Sequence, residues 1–329
     1  MQSDLSTFYS ILEPEFLSDI NSWHGHIPFA FELISQLKPK RFVELGTHKG
    51  DSYLAFCQAV AHFQSETKCF SVDTWEGDEH AGTAEDLYGE NIYEVLSAYH
   101  DERYQSFSTL MRMKFDEALP HFEDGSIDLL HIDGLHTYEA VKHDFDTWLP
   151  KMSDRGVVLF HDTVVRYGNF GVWKLWEELT NQYPGFELTH SYGLGVLAVG
   201  TNPPEWISQA CALPPVQQEA WKRKVEFYGN AILSHSFKKQ SQYFQDLLDQ
   251  CYGQIHKLEH ELVELQDKLE EKSKKIMVAQ MMIARKDKRL LSLNVQLEHA
   301  GKLFTDTQVH VRDQECHISD LTDQLSIQN

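Results

Sequence analysis

Ile127-Asp-Leu-Leu-His-Ile-Asp133-Gly-Leu-His136 and Gly156-Val-Val-Leu-Phe-His161-Asp162 are two apolar, strand-like runs, each ending in Asp with His close by. A helix-like segment, Thr137 to Met152, lies between them; it places Tyr138, Val141, Phe145 and Trp148 on one face at spacings of three and four. A strand, a crossover helix and a second strand make a parallel pair, so both Asp-tipped ends reach the same sheet edge. Ligand crevices of open α/β sheets lie at that edge. Two carboxylates crowded there point to chemistry or a metal, because burying charge without a partner is costly.

Outward from these runs the alternation continues. Strands are expected at Arg41–Leu45, Lys68–Val72, Ser106–Met111, Ile127–Ile132 and Val157–Phe160, with helices between them. Phe186–His190 and Gly195–Val199 read as a closing hairpin through Tyr192-Gly193. The expected fold is a Rossmann-like, doubly wound, mostly parallel α/β sheet. Pro28 and Pro39 bracket a helix within a lead-in, residues 1–38; the sheet domain spans 39–202 and a Pro-punctuated helical connector spans 203–247.

From 248 to 329 the pattern changes. Ile255, Leu262, Leu269, Ile276, Ile283, Leu290, Leu297, Phe304, Val311, Ile318 and Leu325 recur every seven residues. With 42% apolar residues, such a run arises by chance on the order of 10⁻⁴ of the time in a given frame. Leu258, Leu265, Leu293 and Leu321 stand three residues later, as in a coiled coil. Lys272, Lys286 and Gln314 at partner positions, and Gly301 at a cost of roughly 1 kcal/mol, weaken it. A homo-oligomer through residues 248–329 is expected, and the segment could set the distance to a glycan-assembly partner.

The formal net charge is −21. Residues 248–329 carry 11 Lys and Arg against 14 Asp and Glu, so all but three of these charges belong to residues 1–247. Such a field repels phosphate backbones and disfavours nucleic acid as partner. Five scattered Cys without a C-x-x-C pair suit a reducing compartment. No signal-peptide pattern and no apolar run of membrane-spanning length is present, so a cytoplasmic protein is expected.

Phe42-Val-Glu44-Leu-Gly46-Thr47-His-Lys-Gly50 follows the first strand and opens a helix, and Asp73 ends the second strand. The Gly-x-x-x-Gly spacing differs from the Gly-x-Gly-x-x-Gly of nicotinamide-dependent dehydrogenases. These features resemble the class I S-adenosylmethionine-dependent methyltransferases, over roughly residues 26–200. The resemblance implies a seven-stranded sheet with a reversed last strand. It implies that Glu44, Gly46, Thr47 and Gly50 wrap the methionine part of S-adenosylmethionine, that Asp73 takes the ribose hydroxyls, and that Trp75 is a lid or adenine neighbour.

Within that class the two Asp-tipped strands are similar to a bacterial O-methyltransferase group, metal-assisted in some branches, acting on sugars or natural products. The resemblance implies Asp133 and Asp162 as ligands of a divalent metal, Mg²⁺ or similar, with the third position at His161 or Thr163. Neither residue is the usual Asn, Asp or Glu, which suggests an ion that accepts imidazole. Alternatively His136 or His161, or the Asp133 carboxylate beside them, handles the proton of the acceptor hydroxyl. His131, inside its strand, is expected to be a packed, hydrogen-bonded core residue. His24 and His26 either cover the site or lie in a solvated loop. A small-molecule or glycan acceptor is the expected partner. A metallohydrolase using the same mouth, and a non-catalytic coiled-coil adaptor with a methyltransferase-like head, are the other readings.

Overall fold

The computed structural model describes residues 13–77 and 89–327. The expected loop Asp73–Gly89 therefore lies largely outside the described residues. By internal contacts the chain divides into two units, residues 1–244 and 245–329.

The first unit is built on one seven-stranded sheet of β1 (Arg41–Leu45), β2 (Lys68–Asp73), β3 (Ser108–Arg112), β4 (Ile127–Ile132), β5 (Met152–His161), β6 (Gly185–Leu188) and β7 (Leu194–Ala198), in the order 3-2-1-4-5-7-6. β1 to β5 run parallel and β7 is antiparallel to both of its neighbours. This is the expected Rossmann-like sheet with its reversed last strand. β5 begins earlier than its apolar run because Met152 pairs with Ile127 across a bulge.

β4 is buried along its whole length, and its side chains alternate between two cores. Leu129 faces a cluster containing Phe29, Phe42, Phe56 and Trp23 from α1 (Ile27–Leu37), β1, α2 (Asp51–His62) and the lead-in. Leu130 and Ile132 face Val141, Phe145 and Trp148 of α5 (Tyr138–Trp148) and Leu175 and Trp176 of α6 (Val172–Leu179). Both faces of the parallel sheet are thus covered, as period-2 strands within an apolar run require. Between β2 and β4 lie α3 (Glu90–Arg103) and the single-turn α4 (Phe115–Ala118).

The connector is part of this core. α7 (Glu205–Ala212) buries Trp206, Ile207 and Ala210, and the start of α8 (Pro215–Ile327) buries Trp221, Val225 and Ile232 against Phe29 and Phe186. In the second unit α8 continues as one helix in which Ile255, Leu262, Leu269, Ile276, Ile283, Leu290, Leu297 and Phe304 are all exposed. No helix among the described residues is long and apolar enough to cross a membrane.

Candidate active site

Register brings the two Asp-tipped ends together. Ile132 pairs with Phe160, so Asp133 and the His161-Asp162 pair emerge side by side. Asp162 adopts φ +62°, a left-handed conformation that Asp tolerates better than most residues. His136, three residues beyond Asp133, returns to the same point. Its Nε2 lies 2.9 Å from Asp162 Oδ2 and 3.6 Å from Asp133 Oδ1, and its ring stacks on Phe170 with centroids 4.7 Å apart. His161 Nδ1 lies 3.3 Å from Asp133 Oδ1 and 3.5 Å from Asp162 Oδ2.

Burial opposes every charge in this cluster, and mutual attraction prevails. Despite burial, the hydrogen bonds of Asp133 and Asp162 push His136 up to about 9, and the same carboxylates hold His161 well above the usual imidazole value. Asp162 is drawn down to about 2 against burial by the His161 charge and the His136 hydrogen bond, and Asp133 is lowered well below the carboxylate range.

The His161 ring is held from behind. The Ser191 carbonyl accepts from His161 Nε2 and from His26 Nε2, each at 3.1 Å. His26 packs edge-on to His161, with centroids 5.7 Å apart, and is held well below its ordinary value by burial and by His190 and His161.

The Gly loop leaves the end of β1 and lies beside the tip of β4 and this cluster. Gly46, at φ +87°, is packed so closely that a Cβ would overlap the Asp133 carbonyl. Gly50, at φ +92°, caps α2, and a Cβ there would collide with Leu96. Asp73 clamps the loop: Oδ2 accepts from the Thr47 and His48 amides at 2.8 and 2.9 Å, and Oδ1 from the Trp75 amide at 2.7 Å. A carboxylate has about four acceptor positions, so capacity remains for one further donor. Thr47 Oγ1 is tied to Ser71 Oγ at 2.6 Å.

Glu44 and Trp75 line neither of the two cavities at this edge. Glu44 is fully buried, and its Oε2 lies 2.8 Å from His131 Nδ1. Trp23 Nε1 donates to His131 Nε2 at 3.3 Å. Because indole only donates, His131 Nδ1 carries the proton that goes to Glu44. Trp75 is fully buried at φ +55°, donates to the His48 carbonyl at 2.8 Å and packs on Tyr93.

Two cavities open at this edge and share Gly46, His48 and Asp133. The first, about 380 Å³, holds His136, His161 and Asp162, with Trp23, Tyr167, Phe170 and Tyr192 among its walls; Thr47 and Gly50 also line it. The second, about 430 Å³, runs along the ends of β2, β3 and β4 past Asp73, Lys114, Phe115, Asp116 and Asp144. Asp144, on α5, is raised to about 7 by burial, with His143 opposing and Asp116 reinforcing the shift.

Several of these residues carry no sequence signal. Asp144 reads as a helix surface acid. His24, expected to cover the site or to lie in a solvated loop, is instead fully buried between Asp51 Oδ1, 2.8 Å away, and Ser236 Oγ, 2.9 Å away, partners 27 and 212 positions distant. Tyr167 and Phe170 follow β5 in a segment whose path no periodicity predicts.

Residues 43–163 match a sequence family described as a methyltransferase domain. Residues 43–163 are a methyltransferase domain. Its strand order and glycine loop place this methyltransferase domain in class I. An uncharacterized protein, y4gI, of Sinorhizobium fredii (strain NBRC 101917 / NGR234) is 43% identical over 260 residues, covering 79% of this chain and 28% of the relative. The chain thus spans little more than a quarter of that relative's length. Among solved structures, the O-methyltransferase TomG from Streptomyces achromogenes, in complex with SAM, is 14% identical, covers 59% of this chain and 94% of its own, and gives a TM-score of 0.41. The SAH-bound methyltransferase PaMTH1 of Podospora anserina is 14% identical, covers 53% and 77%, and gives 0.40.

Proposed function

We propose that the protein transfers the methyl group of S-adenosylmethionine to a hydroxyl oxygen of a small acceptor, of the sugar, glycan or natural-product class. The observation that carries this reading is the pair of cavities meeting at Gly46, His48 and Asp133. The second cavity suits the adenosine half of the donor, with Asp73 facing a ribose hydroxyl. The first suits the acceptor, because aromatic walls around a polar mouth fit an amphipathic ring.

The acceptor oxygen attacks the methyl carbon, the carbon–sulfur bond breaks, and its electron pair stays on sulfur to give the neutral thioether. The hydroxyl proton passes to His136 in the fraction of the protein in which that ring, raised to about 9, is neutral. Positioning does most of the work, since the sulfonium is already activated. Asp133 belongs to both cavities and so stands at the junction where methyl and hydroxyl meet. A divalent ion held between Asp133 and Asp162 would lower the hydroxyl pKa and orient it.

The exposed heptad positions of α8 support a second inference, that residues 248–329 form a coiled-coil oligomer. A glycan-assembly partner and a cytoplasmic setting remain consistent with this reading.

The reading is tested by calorimetric titration of S-adenosylmethionine into the full chain with and without EDTA, followed by a methyl-transfer assay over a panel of hydroxyl acceptors. Donor binding in both conditions and transfer to a hydroxyl are expected. Metal-dependent turnover without a methyl donor would replace the reading with a hydrolase, and absence of donor binding would leave only an adaptor.

A further inference from the structure

The oxygens and nitrogens of the acceptor mouth form an unusual donor set for a metal-assisted methyl transfer. Asp133, His136 and Asp162 each offer a ligand atom, and these atoms all lie within 4.8 Å of one another. The His161 Nδ1 adds a second imidazole at 3.3 and 3.5 Å from the two carboxylates. Ligands about 2.1 Å from a common ion, at tetrahedral or octahedral angles, sit about 3.0–3.4 Å apart. The four carboxylate–imidazole separations, from 2.9 to 3.6 Å, bracket that range.

The backbone carbonyl behind His161 is a second observation. The Ser191 carbonyl is an acceptor, so the hydrogen bond at 3.1 Å places a proton on Nε2. In the neutral ring, the Nδ1 lone pair then points at two carboxylates. That arrangement is repulsive unless a proton or a metal cation lies between them, so an ion bound here takes the place of the imidazole proton. A backbone carbonyl holding the far nitrogen is also the usual way in which a ligating imidazole is oriented. The ion pairs of both carboxylates are with imidazoles. Thr163, the oxygen alternative, is fully buried, lines neither cavity, and faces Gly193 in the turn before β7.

We propose that this mouth binds a nitrogen-accepting divalent transition ion through Asp133, His136 and Asp162, with His161 Nδ1 as fourth donor, and that it discriminates against Mg²⁺. Mg²⁺ demands a near-octahedral oxygen shell and sheds water reluctantly, whereas imidazole suits the later first-row ions. The site is the one proposed above for methyl transfer. The inference rests on that reading for the ion's use and not for its binding.

The test is equilibrium dialysis of the EDTA-stripped full chain against Co²⁺, with visible absorption as readout and Mg²⁺ as competitor. One Co²⁺ per chain, a spectrum distinct from the aqua ion, and no displacement by a thousandfold excess of Mg²⁺, on the order expected from ligand softness, are predicted. His136→Ala should weaken Co²⁺ binding by on the order of a hundredfold, at least as much as loss of an outer-shell partner costs. His136→Asp, which restores an oxygen donor, should narrow the preference for Co²⁺ over Mg²⁺. Mg²⁺ binding as tight as Co²⁺ in the wild-type chain, or Co²⁺ binding unchanged in His136→Ala, overturns the inference. Because dialysis requires no methyl donor, failure of methyl transfer with Co²⁺ bound would count against the proposed function alone.

Discussion

At the scale of single residues, closeness matters more than chemistry for Gly46. Its positive φ and its contact with the Asp133 carbonyl join the glycine loop to the tip of β4. Gly46→Ala must strain the loop or push β4 back, at about 1–3 kcal/mol for the backbone alone. A fall in thermal midpoint together with at least a tenfold loss of S-adenosylmethionine affinity is expected, checked by thermal unfolding and calorimetry. Asp144 makes a different prediction. A carboxyl raised in the folded state favours folding while it is neutral; that advantage is complete below its ordinary value of 3.8 and is lost as pH rises through about 7. Asp144→Asn should therefore gain stability relative to wild type between pH 5 and pH 8, by about 2 kcal/mol. Urea midpoints at the two pH values check this, and an equal offset at both would contradict it.

At the scale of elements, the strands were legible because buried parallel strands must be short apolar runs bounded by turn residues. β4 and the core of β5 are such runs, and their terminal acids follow directly. The glycine loop was legible for the same reason, since it joins a strand to a helix within nine residues. What holds the site from behind was not legible. The link from Trp23 through His131 to Glu44 spans 108 and 87 positions, and nothing local in any of the three residues announces it. The sequence did identify His131 as a core residue. Its partners emerge only when the lead-in is laid against β1 and β4. Trp23→Phe keeps the packing and removes the only N–H that the indole offers, which leaves a buried imidazole acceptor unsatisfied. A cost of about 1–3 kcal/mol in chemical denaturation is expected; a change below 0.5 kcal/mol, on the order of a neutral substitution, would show that the bond contributes little.

At the scale of the whole molecule, the heptad repeat was the most legible feature of the chain, and the helix it requires is present as α8. The burial of Trp206 and Trp221 was not legible, because an amphipathic pattern shows that a face is covered without showing by what. The exposed apolar positions of α8 predict association through residues 248–329. In the full chain, Leu262→Glu combined with Leu269→Glu should reduce the sedimentation mass towards that of a single 38.1 kDa chain, while donor binding at the sheet is retained. An unchanged mass would assign the repeat to a different partner.

The two cavities draw unequally on the segment that matches the methyltransferase-domain family. The cavity proposed for the donor (Gly46, Asp73, Asp116 and Asp133) falls inside residues 43–163. The cavity proposed for the acceptor takes Ile20, Ser22 and Trp23 from before that segment, and Tyr167, Phe170 and Tyr192 from after it. On the proposed reading, classification by the matched segment would group such proteins by the reagent they consume and would be blind to what they modify. Selectivity would travel with the flanks: a chimera that exchanges residues 13–26 and 164–193 between two relatives should exchange their acceptors and leave donor affinity in place.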